Sequence, residues 1–324
     1  MRTHYSSTIR DNPSLSINED ETRSREIIWR HFSIKISTFM GLNISGARFL
    51  LGEKLRNVRF GRTLTLGRQG IYMGENSYLT FLDLVGAKVT TTEFADDFFR
   101  GLGAEPLIAM DASAYEAAAI IHNMNEPVDQ QYHSTFDTVI DGGTLEHVFN
   151  FPVAIRNCME MVKPGGQLIL MTPWHNYPGH GFFEFSPELI YNTLSEENGF
   201  RVERMLIDAE GSWYSVKNPI DLEHRIEIST RDQILLYITA RKVASCPLFS
   251  KWPQQSDYSA AWKRGAYASP QEARVLSMKH HLAKRIPALE KWLNRWRTYR
   301  LLKSFSPVRN PGMVRICRSD DIPV

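Results

Sequence analysis

The sequence predicts an α/β protein in which helices cover both faces of a mainly parallel sheet. Between residues 61 and 244, short apolar runs typical of buried strands alternate with helical patterns. Most of these strands end in a glycine or a polar residue, and the intervening segments are long enough for the crossover helices that parallel pairing requires. Helical attachments are predicted over residues 25–60 and within an extension over residues 245–324.

The first 60 residues divide into two parts. Residues 1–24 are polar with few large apolar side chains, which predicts a flexible tail. From Ser24 to about Arg56, apolar residues recur at spacings of three and four, as in helices that lie on a core.

The central region predicts six strands and three helices. A helix over 92–103 ends at Gly103, and a second over 151–162 is closed by a Lys-Pro-Gly-Gly sequence. A third begins after Ser186, a favourable N-cap, and ends at Gly199. Pro173 is expected to stop the fourth strand. The predicted strands cover residues 63–66, 106–110, 136–140, 167–171, 201–207 and 233–241.

The extension after Ala244 begins as a loop rich in Ser, Pro and Gln and continues as a long helix from Ser269, which Pro287 kinks or splits. Between Gln271 and Arg315 the sequence contains eleven Lys or Arg residues and only two Glu residues. We expect the apolar face of this basic helix to pack on the core. A membrane surface or a protein is its alternative partner, and nucleic acid is the least favoured.

The composition excludes several classes of protein. The 324 residues are 43% hydrophobic and 23% charged, with a net charge of +2, as in globular proteins. No run approaches the roughly 18 apolar residues of a membrane-spanning helix. The first residues lack the apolar core of a signal peptide, which predicts a cytoplasmic protein. The three cysteines are far apart, so we predict no metal site from them.

Polar or glycine-rich segments follow four predicted strands, at residues 67–70, 111–113, 141–147 and 172–176. Ligands of open α/β sheets bind outside the carboxyl ends of the strands, so these segments form the predicted rim of a cleft. Asp111 either accepts hydrogen bonds from the two hydroxyls of a ribose or caps a helix over 114–119. Asn123 either contacts an adenine edge or belongs to an ordinary turn.

Two histidines are candidate bases. His147 follows Glu146 in the segment after the third strand, and His180 lies between two glycines. Histidine is the usual general base near neutral pH, although both residues fit a structural role equally well. An aromatic pocket for an organic acceptor is predicted from Trp174, His175, Tyr177 and Phe182.

Together these motifs resemble class I S-adenosylmethionine-dependent methyltransferases over residues 63–241. The resemblance lies in FDTVIDGGTLEH at 136–147, MVKPGGQL at 161–168 and FSPEL at 185–189. It implies a Rossmann-like sheet of seven strands with the last one antiparallel, residues 233–241 as a late strand, and S-adenosylmethionine as cofactor. Asp111 and Ala112 would hold the ribose, Asn123 would line the adenine, and Asp141 and Gly142 would lie beneath the methionine portion.

The first glycine-rich turn departs from the pattern of that family and indicates an atypical branch. Only Gly67 and Gly70 remain, and Arg68 and Gln69 stand between them. We expect Arg68 to pair with the carboxylate of the cofactor and Gln69 to replace a backbone contact.

The leading hypothesis is methyl transfer from S-adenosylmethionine to a hydroxyl of a small organic or sugar acceptor. His147 or His180 would remove the proton, with Glu146 orienting the imidazole. The alternative is a non-catalytic scaffold or partner-binding protein of the same fold. A nucleic-acid methyltransferase is the least favoured reading.

Overall fold

The computed structural model describes residues 41–264 and 287–324. In this part of the chain, nine strands form one sheet with helices packed against it. The strands are β1 (Gly61–Leu66), β2 (Ala104–Asp111), β3 (Ile120–Ile121), β4 (Phe136–Asp141), β5 (Val162–His175), β6 (Phe200–Ala209), β7 (Ser212–Val216), β8 (Ile234–Lys242) and β9 (Met313–Arg318). The helices are α1 (Ile44–Leu55), α2 (Glu75–Val85), α3 (Asp96–Leu102), α4 (Phe151–Met161), α5 (Pro187–Thr193), α6 (Pro219–Leu222), α7 (Ser256–Arg264) and α8 (Pro287–Ser304).

The strand order is β3-β2-β1-β4-β5-β8-β6-β7-β9. The first five strands of this order pair in parallel. β8 lies antiparallel between β5 and β6. The predicted α/β class is therefore confirmed, with β8 as the late antiparallel strand. The sheet has nine strands instead of seven, because β7 and β9 extend it beyond β6 through two further antiparallel pairings.

Neighbouring residues of β5 point into two different cores. Leu168 and Leu170 belong to one buried cluster, which includes Ala154 and Ile155 of α4. Ile169 and Met171 belong to the other, which includes apolar residues of α1, α2 and α3. Since the side chains of a strand alternate between the faces of a sheet, helices cover both faces, as predicted.

Two predicted boundaries were wrong. Pro173 does not stop β5, which continues to His175, with an irregular register against β8 between these residues. Such a bulge tolerates a residue without a backbone N–H. The segment after Asp111 does not form the alternative helix over 114–119; instead, Asp111 Oδ1 accepts a hydrogen bond from the Ser113 amide at 3.0 Å. The helix after Ser186 ends at Thr193, and a 3-10 turn (Glu196–Asn198) leads to Gly199.

The extension over residues 245–324 contributes a strand that the sequence analysis missed. β9 pairs with β7, and Arg48 of α1 donates to the carbonyl of Ser319, just after β9, at 2.8 Å. The guanidinium of Arg204 lies between Glu53 Oε1, at 2.7 Å, and the carbonyl of Pro323, at 3.1 Å. Glu53 is buried and Arg204 is largely shielded from solvent.

We expect Glu53→Gln to lower the free energy of unfolding by about 3 kcal/mol, since it leaves the shielded Arg204 charge without its counterion. The matched control is Glu196→Gln, which breaks the exposed Glu196–Arg201 pair at 2.8 Å and should cost less than about 0.5 kcal/mol. Urea denaturation followed by circular dichroism measures both. Equal effects of the two substitutions would contradict the argument.

The basic helix predicted from Ser269 lies partly outside the described residues, as do residues 1–40. In α8, Trp292 and Trp296 stack on each other with ring centroids 6.4 Å apart. They are 59% and 44% exposed, so the expectation that these two residues pack on the core was wrong. The two rings, four residues apart on the helix, pack against each other instead of against the core. No helix in the described ranges is long and apolar enough to span a membrane.

Candidate functional site

The carboxyl ends of β1, β2 and β4 meet where the strand order changes direction, which is the usual ligand position in such sheets. Gly67 turns the chain out of β1 with φ +69°, a conformation that favours glycine. A Cβ atom at Gly67 would lie 3.7 Å from Asp111 Oδ2 and 3.6 Å from Thr144 Oγ1. The structure therefore brings the predicted residues Gly67 and Asp111 together. It also places Thr144 beside them, a residue that nothing in the sequence singled out apart from its place in the GGT motif.

Asp111 presents one carboxylate oxygen to this turn. Its Oδ1 accepts the hydrogen bond from the Ser113 amide, whereas its Oδ2 lies toward Gly67. Ala112 is exposed in the turn that follows, and the carbonyl of Asp111 accepts the His122 amide at 2.8 Å. Asn123 comes next, and its side-chain oxygen accepts hydrogen bonds from the backbone and the side chain of Asn125. Because the Asn123 side chain is hydrogen-bonded within its own turn, any contact of Asn123 with an adenine would be made by its backbone.

Gln69 lies in the first turn, where the family pattern has glycine. Its side chain is buried, and its Nε2 donates to the carbonyl of Leu66 at 2.9 Å. A Cβ atom at Gly142 would collide with Gln69 Oε1, which has no hydrogen-bond partner among the described residues. The Gln69 carboxamide therefore occupies the space that a side chain at position 142 would need, and the two predicted residues lie in direct contact.

We expect Gly142→Ala to lower the free energy of unfolding by about 1–3 kcal/mol, because the new methyl group overpacks the Gln69 side chain. Adding Gln69→Ala should recover part of this loss, which a double-mutant cycle by chemical denaturation measures. Gly74→Ala is the matched control, since a Cβ there meets no atom within 4 Å. Additive effects of the two substitutions would show that the collision does not determine the cost.

Arg68 is held by the protein itself. Its Nη2 lies 2.7 Å from Asp96 Oδ2, and its guanidinium carbon lies 4.0 Å from the centroid of the Phe94 ring. The hydrogen bond to Asp96 raises the pKa of Arg68. A cofactor carboxylate would have to share this guanidinium with Asp96, and the pairing proposed from the sequence stays a prediction.

Asp141 is completely buried at the end of β4. Its Oδ1 accepts the amides of Thr144 at 2.8 Å and Leu145 at 3.4 Å, and its Oδ2 has no partner within the described ranges. Burial, together with the charge of Glu146, raises the pKa of Asp141 to about 8. At neutral pH this carboxyl is therefore largely protonated, and a cationic group beside its Oδ2 would favour the ionised form.

Glu146, His147 and His180 form a cluster beside this carboxylate. Glu146 and His147 belong to a 3-10 turn (Leu145–His147) that follows β4. The loop with His180 is fastened to that turn because the amides of Phe182 and Phe183 donate to the carbonyl of Glu146, at 2.8 and 3.2 Å. The two candidate bases and the predicted orienting residue therefore come together.

The geometry within this cluster is close. His180 Nε2 lies 3.4 Å from Glu146 Oε1, and the two imidazole centroids are 5.0 Å apart. Glu146 is only 1% exposed. Burial lowers the pKa of His147, although the charge of Glu146 opposes the shift. A neutral imidazole therefore lies next to a buried carboxylate.

Of the four predicted acceptor residues, two flank the cluster. The ring of Tyr177 lies 5.4 Å from that of His180, and burial raises the pKa of Tyr177 to about 12. Phe182 is exposed and makes an edge contact at 5.7 Å with Phe149, which the sequence analysis missed. Trp174 instead packs on the core beneath α4 and α5, and His175 pairs with Ile234 in the sheet.

The parallel strands and the antiparallel β8 between β5 and β6 define the class I S-adenosylmethionine-dependent methyltransferase fold. Neither a protein-family model nor a curated protein matches this chain. The fold therefore rests on the order and direction of the strands.

Solved structures similar to the chain belong to several transferases. One is the 1,6-didemethyltoxoflavin-N1-methyltransferase of Burkholderia thailandensis with S-adenosylhomocysteine, at 14% identity and TM-score 0.36, covering 74% of this chain and 99% of that one. A branched-chain polyamine synthase of Thermus thermophilus has 12% identity and TM-score 0.35, covering 72% and 68%. A methyltransferase of Aquifex aeolicus has 11% identity and TM-score 0.31, covering 60% and 90%.

Proposed function

We propose that this protein transfers a methyl group from S-adenosylmethionine to a small organic or sugar acceptor, at oxygen. The observation that carries the proposal is the position of Asp111, Gly67 and Asp141 at the carboxyl ends of neighbouring strands, where Asp141 also interacts with Glu146 of the Glu146–His147–His180 cluster. A nucleoside-binding carboxylate and a group of potential bases are thus available to a single bound cofactor and acceptor.

The strand ends fit the chemical groups of S-adenosylmethionine. Asp111 Oδ2 is an available acceptor for ribose hydroxyls, with Ala112 beside it. The bare backbone of Gly67 permits close approach of the ligand. The buried Oδ2 of Asp141 suits the ammonium of the methionine portion, because a neighbouring cation favours the ionised carboxylate over the protonated form that burial favours. The cofactor supplies an electrophilic methyl group on its sulfonium.

The cluster provides the means to deprotonate an acceptor hydroxyl. His180, oriented by Glu146 Oε1 at 3.4 Å, is one candidate base. His147, whose pKa is lowered by burial, is the other. The exposed rings of Phe149 and Phe182 offer an apolar surface for an organic acceptor at this position. Positioning the acceptor oxygen in line with the methyl group accounts for a further part of the rate.

Calorimetric titration of the full chain with S-adenosylmethionine and with S-adenosylhomocysteine tests the proposal. We expect saturable binding of both, with adenosine alone binding more weakly because it lacks the methionine groups that face Asp141. Absence of binding by either cofactor form would overturn the proposal.

One observation favours a second candidate function, a non-catalytic scaffold of the same fold. Gln69 and Arg68 replace the glycines of the first turn, and the Gln69 carboxamide lies against Gly142. A side chain in this position reduces the room for the methionine portion. A protein that binds neither cofactor form, yet unfolds cooperatively, would establish this alternative.

A further inference from the structure

The Glu146–His147–His180 cluster contains more ligand chemistry than a base requires. One carboxylate oxygen of Glu146 and one ring nitrogen from each histidine lie within 4.8 Å of one another. Two imidazoles and a carboxylate are a donor set typical of divalent first-row transition metals. We propose that these three side chains bind one such ion, and that the ion activates the acceptor of the methyl transfer. This proposal deepens the proposed function and rests on it.

The distances fit a metal site better than a hydrogen-bonded pair. Ligands bound tetrahedrally at about 2.0–2.1 Å lie roughly 3.3 Å from one another. His180 Nε2 and Glu146 Oε1 are 3.4 Å apart, which is long for a charge-assisted hydrogen bond. The His147 nitrogen lies within 4.8 Å of the other two ligand atoms, and metal binding would require it to close the remaining gap.

Unpaired polar atoms are a second, independent observation. Glu146 Oε2 and His147 Nε2 are buried and have no hydrogen-bond partner among the described residues. No Lys or Arg of the described chain forms an ion pair with Glu146, which is 1% exposed. A buried carboxylate without a cation is costly, and a neutral imidazole nitrogen without a donor adds to that cost. One divalent ion bound by both oxygens of the Glu146 carboxylate and by His147 Nε2 would satisfy both atoms.

The backbone holds the three ligands in place. The loop of His180 is fixed to the carbonyl of Glu146 by two amide hydrogen bonds, and Gly181 is required there because a Cβ would lie 2.8 Å from that oxygen. A site whose ligands come from two loops needs such a fastening to keep its geometry.

The proposed ion would change how the acceptor is activated. Three protein ligands leave a position open for the acceptor oxygen, as in catalytic metal sites. Binding there lowers the pKa of the hydroxyl, and its proton passes to water. The oxygen then forms a bond to the methyl carbon while the carbon–sulfur bond breaks, which leaves S-adenosylhomocysteine. The histidines then act as ligands, in place of the base role that a metal-free site would give them.

Equilibrium dialysis of the full-length, chelator-treated protein against Zn²⁺, followed by metal analysis, tests the site without an activity assay. We expect about one tightly held zinc ion per chain and a loss of affinity of at least tenfold in Glu146→Gln and in His180→Gln. Co²⁺ should give the visible absorption bands of a low-symmetry site in the wild type alone. His180→Gln lies in a surface loop, so it keeps the test valid where Glu146→Gln fails to fold.

His133→Gln is the matched control, because His133 Nε2 also lies 3.5 Å from a carboxylate, that of Glu160. It should retain the zinc of the wild type. No stoichiometric zinc in the wild type, or an equal loss in the control, would overturn the metal site. Titration of S-adenosylmethionine in the presence of chelator separates the two proposals: binding there with no zinc site removes the metal alone, and no binding removes the proposed function.

Discussion

Asp111→Ala is expected to weaken S-adenosylmethionine binding by about a hundredfold, to the limit of calorimetric detection. Hydrogen bonds from two ribose hydroxyls to a carboxylate contribute about 1.5 kcal/mol each, and every 1.4 kcal/mol is about tenfold in affinity. Asp111 Oδ2 is the acceptor that the structure leaves open toward the Gly67 turn, so no neighbouring group compensates for its loss. S-adenosylhomocysteine should lose affinity to the same extent, because it has the same ribose.

The matched control for this substitution is Asp129→Ala. Asp129 Oδ1 accepts the Gln131 amide at 2.9 Å, which is the local turn that Asp111 makes with Ser113. Removing Asp129 therefore reproduces the loss of the turn hydrogen bond away from the cleft. Wild-type affinity in Asp111→Ala, or an equal loss in Asp129→Ala, would show that the ribose lies elsewhere.

The second large effect is expected from His180→Ala. Loss of a base or a metal ligand should lower the rate of methyl transfer by about 10²–10⁴ while cofactor affinity changes less than about threefold. The reason is the separation of the proposed roles: His180 contacts Glu146, whereas Asp111 and Gly67 lie at the proposed cofactor position. A single-turnover assay with an acceptor found by screening, together with calorimetry, measures both quantities.

His224→Ala is the control for this variant, since His224 is exposed and its Nδ1 lies 2.9 Å from the carbonyl of Arg225. Its rate should equal that of the wild type. A rate within threefold of wild type in His180→Ala would remove this histidine from acceptor activation and leave His147 as the remaining candidate.

The strand positions were largely predictable because each strand is a short apolar run with a clear stop. All six predicted strands exist, within a few residues at most ends. The exception is β5, which extends over Pro173 since its pairing with β8 outweighs the missing amide. β9 could not be predicted, because its sequence alternates weakly and contains two arginines, and its register depends on β7.

The candidate site was predictable in its residue types but not in its pairings. Strand ends with glycine and aspartate indicate where a ligand lies, and this gave Gly67, Asp111 and Asp141. The contact of His180 with Glu146 depends on amide hydrogen bonds between two loops, which no periodicity shows. The Arg68–Asp96 pair depends likewise on how α3 lies beside the first turn. Contacts between segments far apart in sequence require the folded chain.

The two outer strands of the sheet bear on how the protein behaves at high concentration. An unpaired strand edge invites another molecule to add its own strand and begin aggregation. β3 has only two residues, so it provides almost no backbone groups for another strand to pair with. β9 carries Arg315 and Arg318, whose like charges repel a second copy. Among the described residues, the nine-stranded sheet thus ends in a very short strand on one side and a cationic strand on the other, and both edges disfavour pairing with a second copy.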